Sequence, residues 1–227
     1  MGNFKSSLIV TILLIGYLGL SCQVYSENAV QNETMLRGLR GWKATTVVTV
    51  GEQLPSRDLN AVSGWYQPPG GMDGLGAFAL DAQTVRVLVN HELSRDAGHF
   101  YRLRNKTRLA GARVSFIDLD HKTRRVVNSG VAFDPVYDRN GLIVPSVGQI
   151  NQRGKWRFGL SRLCSAQFVE AGRYGFVNNI FFTHEEISDP FDHPHGGSLW
   201  ALDVDSKIVQ AAPGAGRMSW ENSTPLE

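Results

Sequence analysis

The sequence predicts an all-β fold, and three observations support this prediction. Short apolar runs rich in β-branched and aromatic residues recur along the chain, as is typical of strands. Polar turns that contain many of the 24 glycines separate these runs. Almost no segment repeats apolar residues at the period of a helix. This pattern indicates sheets with very little helix.

The predicted strands follow one another through the second half of the chain as well as the first. They are Thr45–Val50, Ala77–Leu80, Val85–Asn90, Arg113–Asp118, Arg125–Val127, Phe176–Thr183, Ser198–Asp203 and Ile208–Ala211. A single short helix is predicted around Ser165–Ala171. The glycine-rich stretch Pro69–Gly74 is predicted to be a turn cluster, because no helix follows it that could receive a phosphate.

The first 26 residues are predicted to be an export signal. Lys5 supplies the positive charge that precedes an apolar run, Leu8–Leu20, in such signals. Cleavage is expected after Ser26, and the alternative is a lipoprotein that is processed and lipidated at Cys22. The apolar run is shorter than the ~20 residues that a membrane span needs. We therefore expect a secreted or periplasmic protein without a membrane span.

The remainder of the chain is predicted to form one domain. Residues 27–40 are mostly polar and are expected to be an irregular leader, and residues 41–227 are expected to be the folded part. An apolar content of 42% is normal for a globular core, and a net charge of +2 gives no indication of a nucleic-acid partner. We expect a monomer that acts on a small molecule.

Two predicted hairpins look like copies of each other. Val114–Asp120 and Leu199–Asp205 each combine an apolar strand with the pattern Asp-x-Asp, and a basic turn residue and a return strand follow. Short acidic side chains in such turns accept hydrogen bonds from nearby backbone N–H groups. The same spacing also suits calcium, but turn chemistry is the interpretation that we favour.

The spacing of the copies predicts the architecture. Asp118 and Asp203 lie 85 positions apart, and Glu92 and Glu186 lie 94 apart. Both distances are close to two units of ~40–45 residues, which is the repeat length of a propeller blade. We therefore expect a β-propeller with sequence for roughly four to five blades. The abrupt C-terminus would leave its edges open, so we expect an incomplete propeller and an N-terminal fragment of a longer chain.

Two apolar strands are predicted to end in clusters of histidine and glutamate. Val87–Glu92 and Phe181–Glu186 share this pattern, and Cys164 precedes the second of them. Cys164 has no intramolecular partner once Cys22 is removed or lipidated, and its alternative role is that of a small buried apolar residue. Carboxylates grouped with a thiolate suit a metal ion. These strand ends therefore predict a metal site.

The predicted ligands are mixed in character. Glu92, Glu186 and Glu221 each follow an apolar or aromatic residue within a few positions. Their oxygens favour Ca²⁺, Mg²⁺ or Fe³⁺, whereas a thiolate favours iron or zinc. The set therefore predicts a transition metal with calcium beside it. His91 and His184 are expected to hold the ligands through hydrogen bonds rather than to bind metal.

Several of these segments together resemble the PhoX-type alkaline phosphatases. Val89–Glu92 is similar to the strand-end signature of that family. Leu163–Ser165 and Thr183–Glu186 resemble its cysteine segment and its later segment with two glutamates. Gly196–Asp203 and Gly216–Glu221 are similar to its glycine-rich strand and its Gly-Arg-Phe-x-His-Glu stretch. The resemblance covers most of the chain that follows the leader.

The resemblance implies a secreted propeller phosphatase that hydrolyses small phosphate esters with iron and calcium. It implies that Cys164 binds iron and that Glu92, Glu186 and Glu221 are carboxylate ligands. The residues that we expect to support these ligands are His91, His184, Glu185 and Arg217. Two alternatives stay open: a calcium-dependent propeller hydrolase of the lactonase or phytase type, and a non-catalytic binding propeller that metals only stabilise.

Overall fold

The computed structural model describes residues 40–95, 97–144, 160–187 and 196–226, so the predicted export signal and nearly all of the leader lie outside the described residues. The chain divides into two units, the first of which ends at Glu52. The described part of the first unit contains a turn closed by the bond from Glu52 N–H to Thr49 O (3.0 Å) and no strand. The predicted strand Thr45–Val50 is therefore wrong. Val47 and Val50 are 42% and 58% exposed, and a strand needs a paired neighbour that this run does not have among the described residues.

The described part of the second unit is built from strands and one short 3₁₀ helix, Pro213–Ala215. In chain order the strands are β1 (Leu54–Pro55), β2 (Trp65–Tyr66), β3 (Met72–Ala79), β4 (Thr84–His91), β5 (Tyr101–Arg102), β6 (Arg108–Leu109), β7 (Arg113–Asp120), β8 (Val126–Val131), β9 (Val136–Tyr137), β10 (Leu163–Val169), β11 (Ile180–Glu185), β12 (Leu199–Asp203) and β13 (Ile208–Ala211). The all-β prediction is confirmed. In the portion of the chain that the structure describes, no helix is both long and apolar enough to cross a membrane.

Two large sheets carry most of these strands. One has the order β3-β4-β7-β8 and is antiparallel throughout. The other has the order β10-β11-β12-β13-β9, in which only the last pair is parallel. The pairs β1-β2 and β5-β6 form small separate sheets. Across the described residues none of these sheets closes on itself.

The register of the two large sheets repeats as the sequence predicts. Arg86 of β4 stands opposite Asp118 of β7, and Ile180 of β11 stands opposite Asp203 of β12. Ile180 follows Arg86 by 94 positions, and Asp203 follows Asp118 by 85. The first offset is also the distance between Glu92 and Glu186, and the second is the distance between the aspartates of the two similar hairpins. The four strands β3, β4, β7 and β8 therefore correspond in order and register to β10, β11, β12 and β13.

Two of the four hairpin aspartates accept hydrogen bonds from their own turns. Oδ1 of Asp120 accepts the N–H groups two and three residues later, at 3.1 and 2.7 Å, and Oδ1 of Asp203 does the same at 3.0 and 3.1 Å. The preferred turn interpretation is therefore confirmed at these two positions. Asp118 differs from both, because it pairs with Arg86 through two bonds of 2.7 and 2.9 Å.

The predicted helix at Ser165–Ala171 is wrong, because most of this segment belongs to β10. Its backbone pairs with β11, and Phe168 stands opposite Phe181. The Phe168 ring also stacks on Phe78 of β3 at a centroid distance of 5.0 Å. Pairing within the sheet and stacking between the two sheets override the weak helical preference of a short run.

Two other boundaries differ from the prediction. The turn cluster Pro69–Gly74 ends earlier than predicted, because β3 already begins at Met72. The strand predicted from Phe176 begins only at Ile180, since the residues before it form turns in which Tyr174 has a φ of 51°. The other predicted strands are observed, with ends that differ by several residues at most.

The core lies between the two large sheets, where β3 packs against β10. Large side chains that are at most 2% exposed include Leu88, Phe181, Trp200 and Leu202. A Cβ on Gly76 of β3 would lie 2.9 Å from the ring of Phe181, so only a hydrogen atom fits there. This close approach brings the ends of both sheets, with their acidic residues, next to each other.

Candidate metal centre

Five ligand-capable side chains meet where the two sheets approach. Asp73, Glu92 and Cys164 form one group, and Cys164, Glu186 and Glu221 form a second. Within each group the ligand atoms lie within 4.8 Å of one another. Two ligands of one ion that is 2.0–2.6 Å from each cannot be more than about 5 Å apart, so each group has the dimensions of a metal site.

The first strands of the two sheets deliver equivalent ligands through equivalent irregularities. The pairing of β3 with β4 shifts register just after Met72, and the pairing of β10 with β11 shifts just after Leu163. Asp73 and Cys164 are the first residues inside these two shifts. A bulge of this kind turns a side chain out of the regular alternation of a strand. The same kind of register shift therefore presents a carboxylate in one sheet and a thiol in the other.

The second strands deliver Glu92 and Glu186, each of which directly follows the last residue of its strand. Arg162 lies between them, with Nη2 at 2.5 Å from Oε1 of Glu92 and 3.5 Å from Oε2 of Glu186. Its backbone also links the two segments, because its N–H donates to Leu93 O at 2.7 Å and its carbonyl accepts from the N–H of Glu186 at 3.0 Å. Arg162 thus partly balances the charge of both carboxylates.

Asn90 fixes the strand that carries the cysteine. Its side chain is 0% exposed, and Nδ2 donates to the carbonyls of Cys164 and Ser165 at 2.7 and 3.0 Å. These bonds run between β4 of the first sheet and β10 of the second. They set the position of Cys164 relative to Glu92, two residues along the chain from Asn90.

His184 supports the same strand from the other side. Its Nδ1 lies 2.8 Å from Ser165 O, and its Nε2 lies 2.8 Å from Oγ of Ser223. The hydroxyl of Ser165 donates to the carbonyl of Glu221, which ties the C-terminal segment to the bulge. Burial lowers the pKa of His184. His184 is therefore bonded to the residue that follows Cys164, and its support of a metal ligand remains a prediction.

His91 and Arg217 were also predicted to support the ligands, and each of them bonds to a segment that flanks a ligand. His91 is buried between Gly70 O (3.1 Å) and Oγ of Ser115 (2.8 Å), and burial lowers its pKa to about 4. Arg217 donates from Nε to Gly196 O at 2.8 Å. These bonds shape the segments that flank the ligands, and roles in metal binding remain predictions.

Glu185 is the last residue of β11 and belongs to neither ligand group. It is 2% exposed and accepts the N–H groups of Ser161 and Ser198 at 2.9 and 3.1 Å. Burial raises its pKa to about 7 despite these two bonds. Glu185 therefore joins the segment before Arg162 to the start of β12.

The charges around the thiol favour its protonated form. Burial, together with a hydrogen bond and the charge of Asp73, the charge of Glu221 and a hydrogen bond to Glu186, raises the pKa of Cys164 to about 12. A bound cation has the opposite effect, since it stabilises a thiolate and the surrounding carboxylates together. The cluster thus has the electrostatic character of a cation site.

Two residues of the centre are not among the predicted ones. Asp73 was assigned to a turn cluster, although it precedes Cys164 by 91 positions, close to the repeat distance of 94. Applying the repeat to the strand before each glutamate would have identified it. Arg162 has a φ of 47° and lies outside every predicted element, so the sequence carries no comparable signal for it.

Comparisons with known proteins find no related protein. No family model matches the chain, and no curated protein and no solved structure matches it either.

Proposed function

We propose that the chain is an exported metal-dependent phosphomonoesterase of the PhoX type that uses iron and calcium. The observation that carries this proposal is the pair of ligand groups that share Cys164. A thiolate and several carboxylates in one cluster suit iron and calcium, respectively. The resemblance of the surrounding segments to the PhoX family supplies the reaction class.

A β-propeller is the architecture that we propose for this enzyme. Each large sheet contains a four-stranded antiparallel series in sequential order, which is the arrangement of a propeller blade. The repeated register of the two series supports this proposal. In a propeller the first strands of neighbouring blades lie near the central channel. In the proposed architecture β3 and β10 would therefore carry Asp73 and Cys164 near that channel.

The bound metals would supply Lewis acidity toward the phosphoryl group. Asp73, Glu92, Glu186, Glu221 and the Cys164 thiolate would hold them. Asn90 and His184 would keep the bulge of β10 in place through their bonds to its carbonyls. The side chain of Arg162 is 46% exposed, so a phosphate ester can reach its guanidinium once metals neutralise the carboxylates beside it.

The test is hydrolysis of 4-nitrophenyl phosphate by protein reconstituted with iron and calcium. We expect activity that chelators remove and that Cys164→Ser and Glu92→Gln each reduce by about 100-fold or more, as for loss of a metal ligand. Glu170→Gln is the matched control, because Glu170 is exposed and belongs to neither ligand group. A protein that binds neither metal and hydrolyses no phosphate ester contradicts the proposal.

A calcium-dependent hydrolase of lactones or phytate is the second candidate. Four of the five cluster residues are carboxylates, and the Cys164 thiol is protonated at neutral pH without a cation. Oxygen ligands alone are sufficient for calcium. Cys164→Ser distinguishes the candidates, because a calcium enzyme keeps most of its activity. Stabilisation by metals without any hydrolysis would instead support a binding propeller.

A further inference from the structure

A cavity of about 440 Å³ lies beside β2, β5 and the start of β7, and none of the candidate metal ligands lines it. Aromatic side chains form much of its wall, including Trp65, Tyr66, Phe100 and Tyr101. Trp65 and Phe100 are 46% and 43% exposed, and the guanidinium of Arg108 lies over one face of the Phe100 ring, 4.7 Å from its centroid. The volume falls within the ~300–1,000 Å³ that is usual for small-molecule sites.

A buried arginine forms part of the same wall. Arg113 is 0% exposed, and its guanidinium lies 4.3 Å from the centroid of the Tyr101 ring. Nη2 donates to the carbonyls of His99 and Gly111 at 2.5 and 3.3 Å. Nε and Nη1 have no hydrogen-bond partner among the described residues. Arg113 also takes part in none of the ion pairs found in that part of the chain.

This combination is unusual because a buried charge normally has a paired opposite charge. Carbonyl oxygens and an aromatic face compensate only part of the charge of Arg113. His99 does not add to the positive charge, because burial and the nearby Arg113 lower its pKa. The wall therefore contains one buried positive charge whose guanidinium interacts with the Tyr66 hydroxyl and whose Nε and Nη1 lack carbonyl or carboxylate acceptors, next to flat aromatic surfaces.

We propose that this cavity binds a small organic acid that carries a planar ring and a single carboxylate. The carboxylate would accept hydrogen bonds from Arg113, and the ring would pack against Trp65 and Phe100. A single negative charge matches the single buried guanidinium, whereas a phosphate dianion would leave one charge unbalanced. The proposal is independent of the phosphatase activity proposed above.

Hydrogen bonds connect the cavity wall to His91, the residue before Glu92. The hydroxyl of Tyr66 lies 2.8 Å from Oγ of Ser115, which lies 2.8 Å from Nε2 of His91. Arg113 stands opposite His91 in the β4–β7 ladder, and Glu92 follows His91. The organic acid would therefore bind next to the strand end that supplies Glu92, at a separate site.

Calorimetric titration with benzoate tests the proposal, and benzamide serves as its neutral counterpart. We expect saturable benzoate binding at least about tenfold tighter than benzamide binding, because only the carboxylate pairs with the guanidinium. Arg113→Gln should weaken benzoate binding at least about tenfold. Arg104→Gln is the matched control, because Arg104 is 80% exposed and does not line this cavity.

A second variant keeps the test decisive if Arg113→Gln does not fold. Gln67 is an exposed residue of the cavity wall, and Gln67→Glu places a competing negative charge there. This variant should weaken benzoate binding about tenfold and leave benzamide binding unchanged. Equal binding of the two compounds, no saturation by benzoate up to about 10 mM, or unchanged benzoate binding by Gln67→Glu would overturn the proposal.

Discussion

The contact between β3 and β10 at Gly74 allows a demanding test of the metal centre. A Cβ at Gly74 would lie 2.6 Å from the carbonyl carbon of Ser165 and 2.7 Å from Cβ of Ala166, whereas ordinary contact begins at 3.4 Å. The backbone nitrogen of Ala166 would lie closer still. Gly74→Ala must therefore separate the strands by more than about 0.8 Å, because backbone atoms cannot rotate away as a side chain can. We expect the free energy of unfolding to fall by about 1–3 kcal/mol, the usual cost of overpacking.

The same displacement should also weaken metal binding. Asp73 precedes Gly74, and Cys164 precedes Ser165, so moving the strands apart moves the two ligands apart. Equilibrium unfolding in urea measures stability, and titration with Co²⁺ followed by thiolate-to-metal charge transfer measures affinity. Gly214→Ala is the control, because no atom lies within 4 Å of its added Cβ. If Gly74→Ala matches this control in both assays, the reasoning about the strand contact is refuted.

Three other outcomes follow from the geometry. Asp118→Asn should lower the free energy of unfolding in urea by about 3 kcal/mol, because it leaves Arg86 without its charged partner in a pair whose side chains are 11% (Arg86) and 5% (Asp118) exposed. Arg104→Gln, which removes an exposed pair, should lower it by less than about 1 kcal/mol. Equal losses of stability for the two variants would contradict this reasoning. The thiolate absorbance of Cys164 in the metal-free protein should titrate near pH 12. Because the pKa of Cys164 is higher in the folded protein than the unfolded value of 9.0, the free energy of unfolding should decline as the pH rises from about 9 to 12. A titration midpoint near pH 9 would contradict the burial of Cys164. Arg162→Gln should strengthen Ca²⁺ binding several-fold in calorimetry, because it removes a positive charge 2.5 Å from Oε1 of Glu92. Weaker Ca²⁺ binding by this variant would contradict the assigned geometry.

Among the described residues, apolar runs were sufficient to predict seven of the eight strands of four or more residues, but none of the five two-residue strands, which are too short to give a pattern. They failed at Ser165–Ala171, where pairing with β11 decides the conformation. They also failed at Thr45–Val50, where an apolar run has no pairing strand among the described residues. Whether an apolar run forms a strand therefore depends partly on whether another strand pairs with it, and the local sequence does not encode that partner.

The residues of the candidate site were predictable where the sequence repeat placed them at equivalent positions. Glu92 and Glu186 end equivalent strands, and their spacing indicated that they occupy equivalent places. Asp73 was missed because a bulge, rather than a motif, turns it toward the cluster. Arg162 was missed because its position depends on bonds to two distant segments, Leu93 O and the N–H of Glu186.

Anomalous X-ray diffraction from crystals prepared with iron and calcium tests the central claim most directly. The account predicts an iron peak about 2.3 Å from Sγ of Cys164, the usual metal–thiolate distance, with carboxylate oxygens of the cluster completing the coordination. It also predicts that the iron peak disappears in Cys164→Ser crystals, while Glu170→Gln crystals retain it. Iron bound elsewhere, or a wild-type cluster without any metal, would contradict the account.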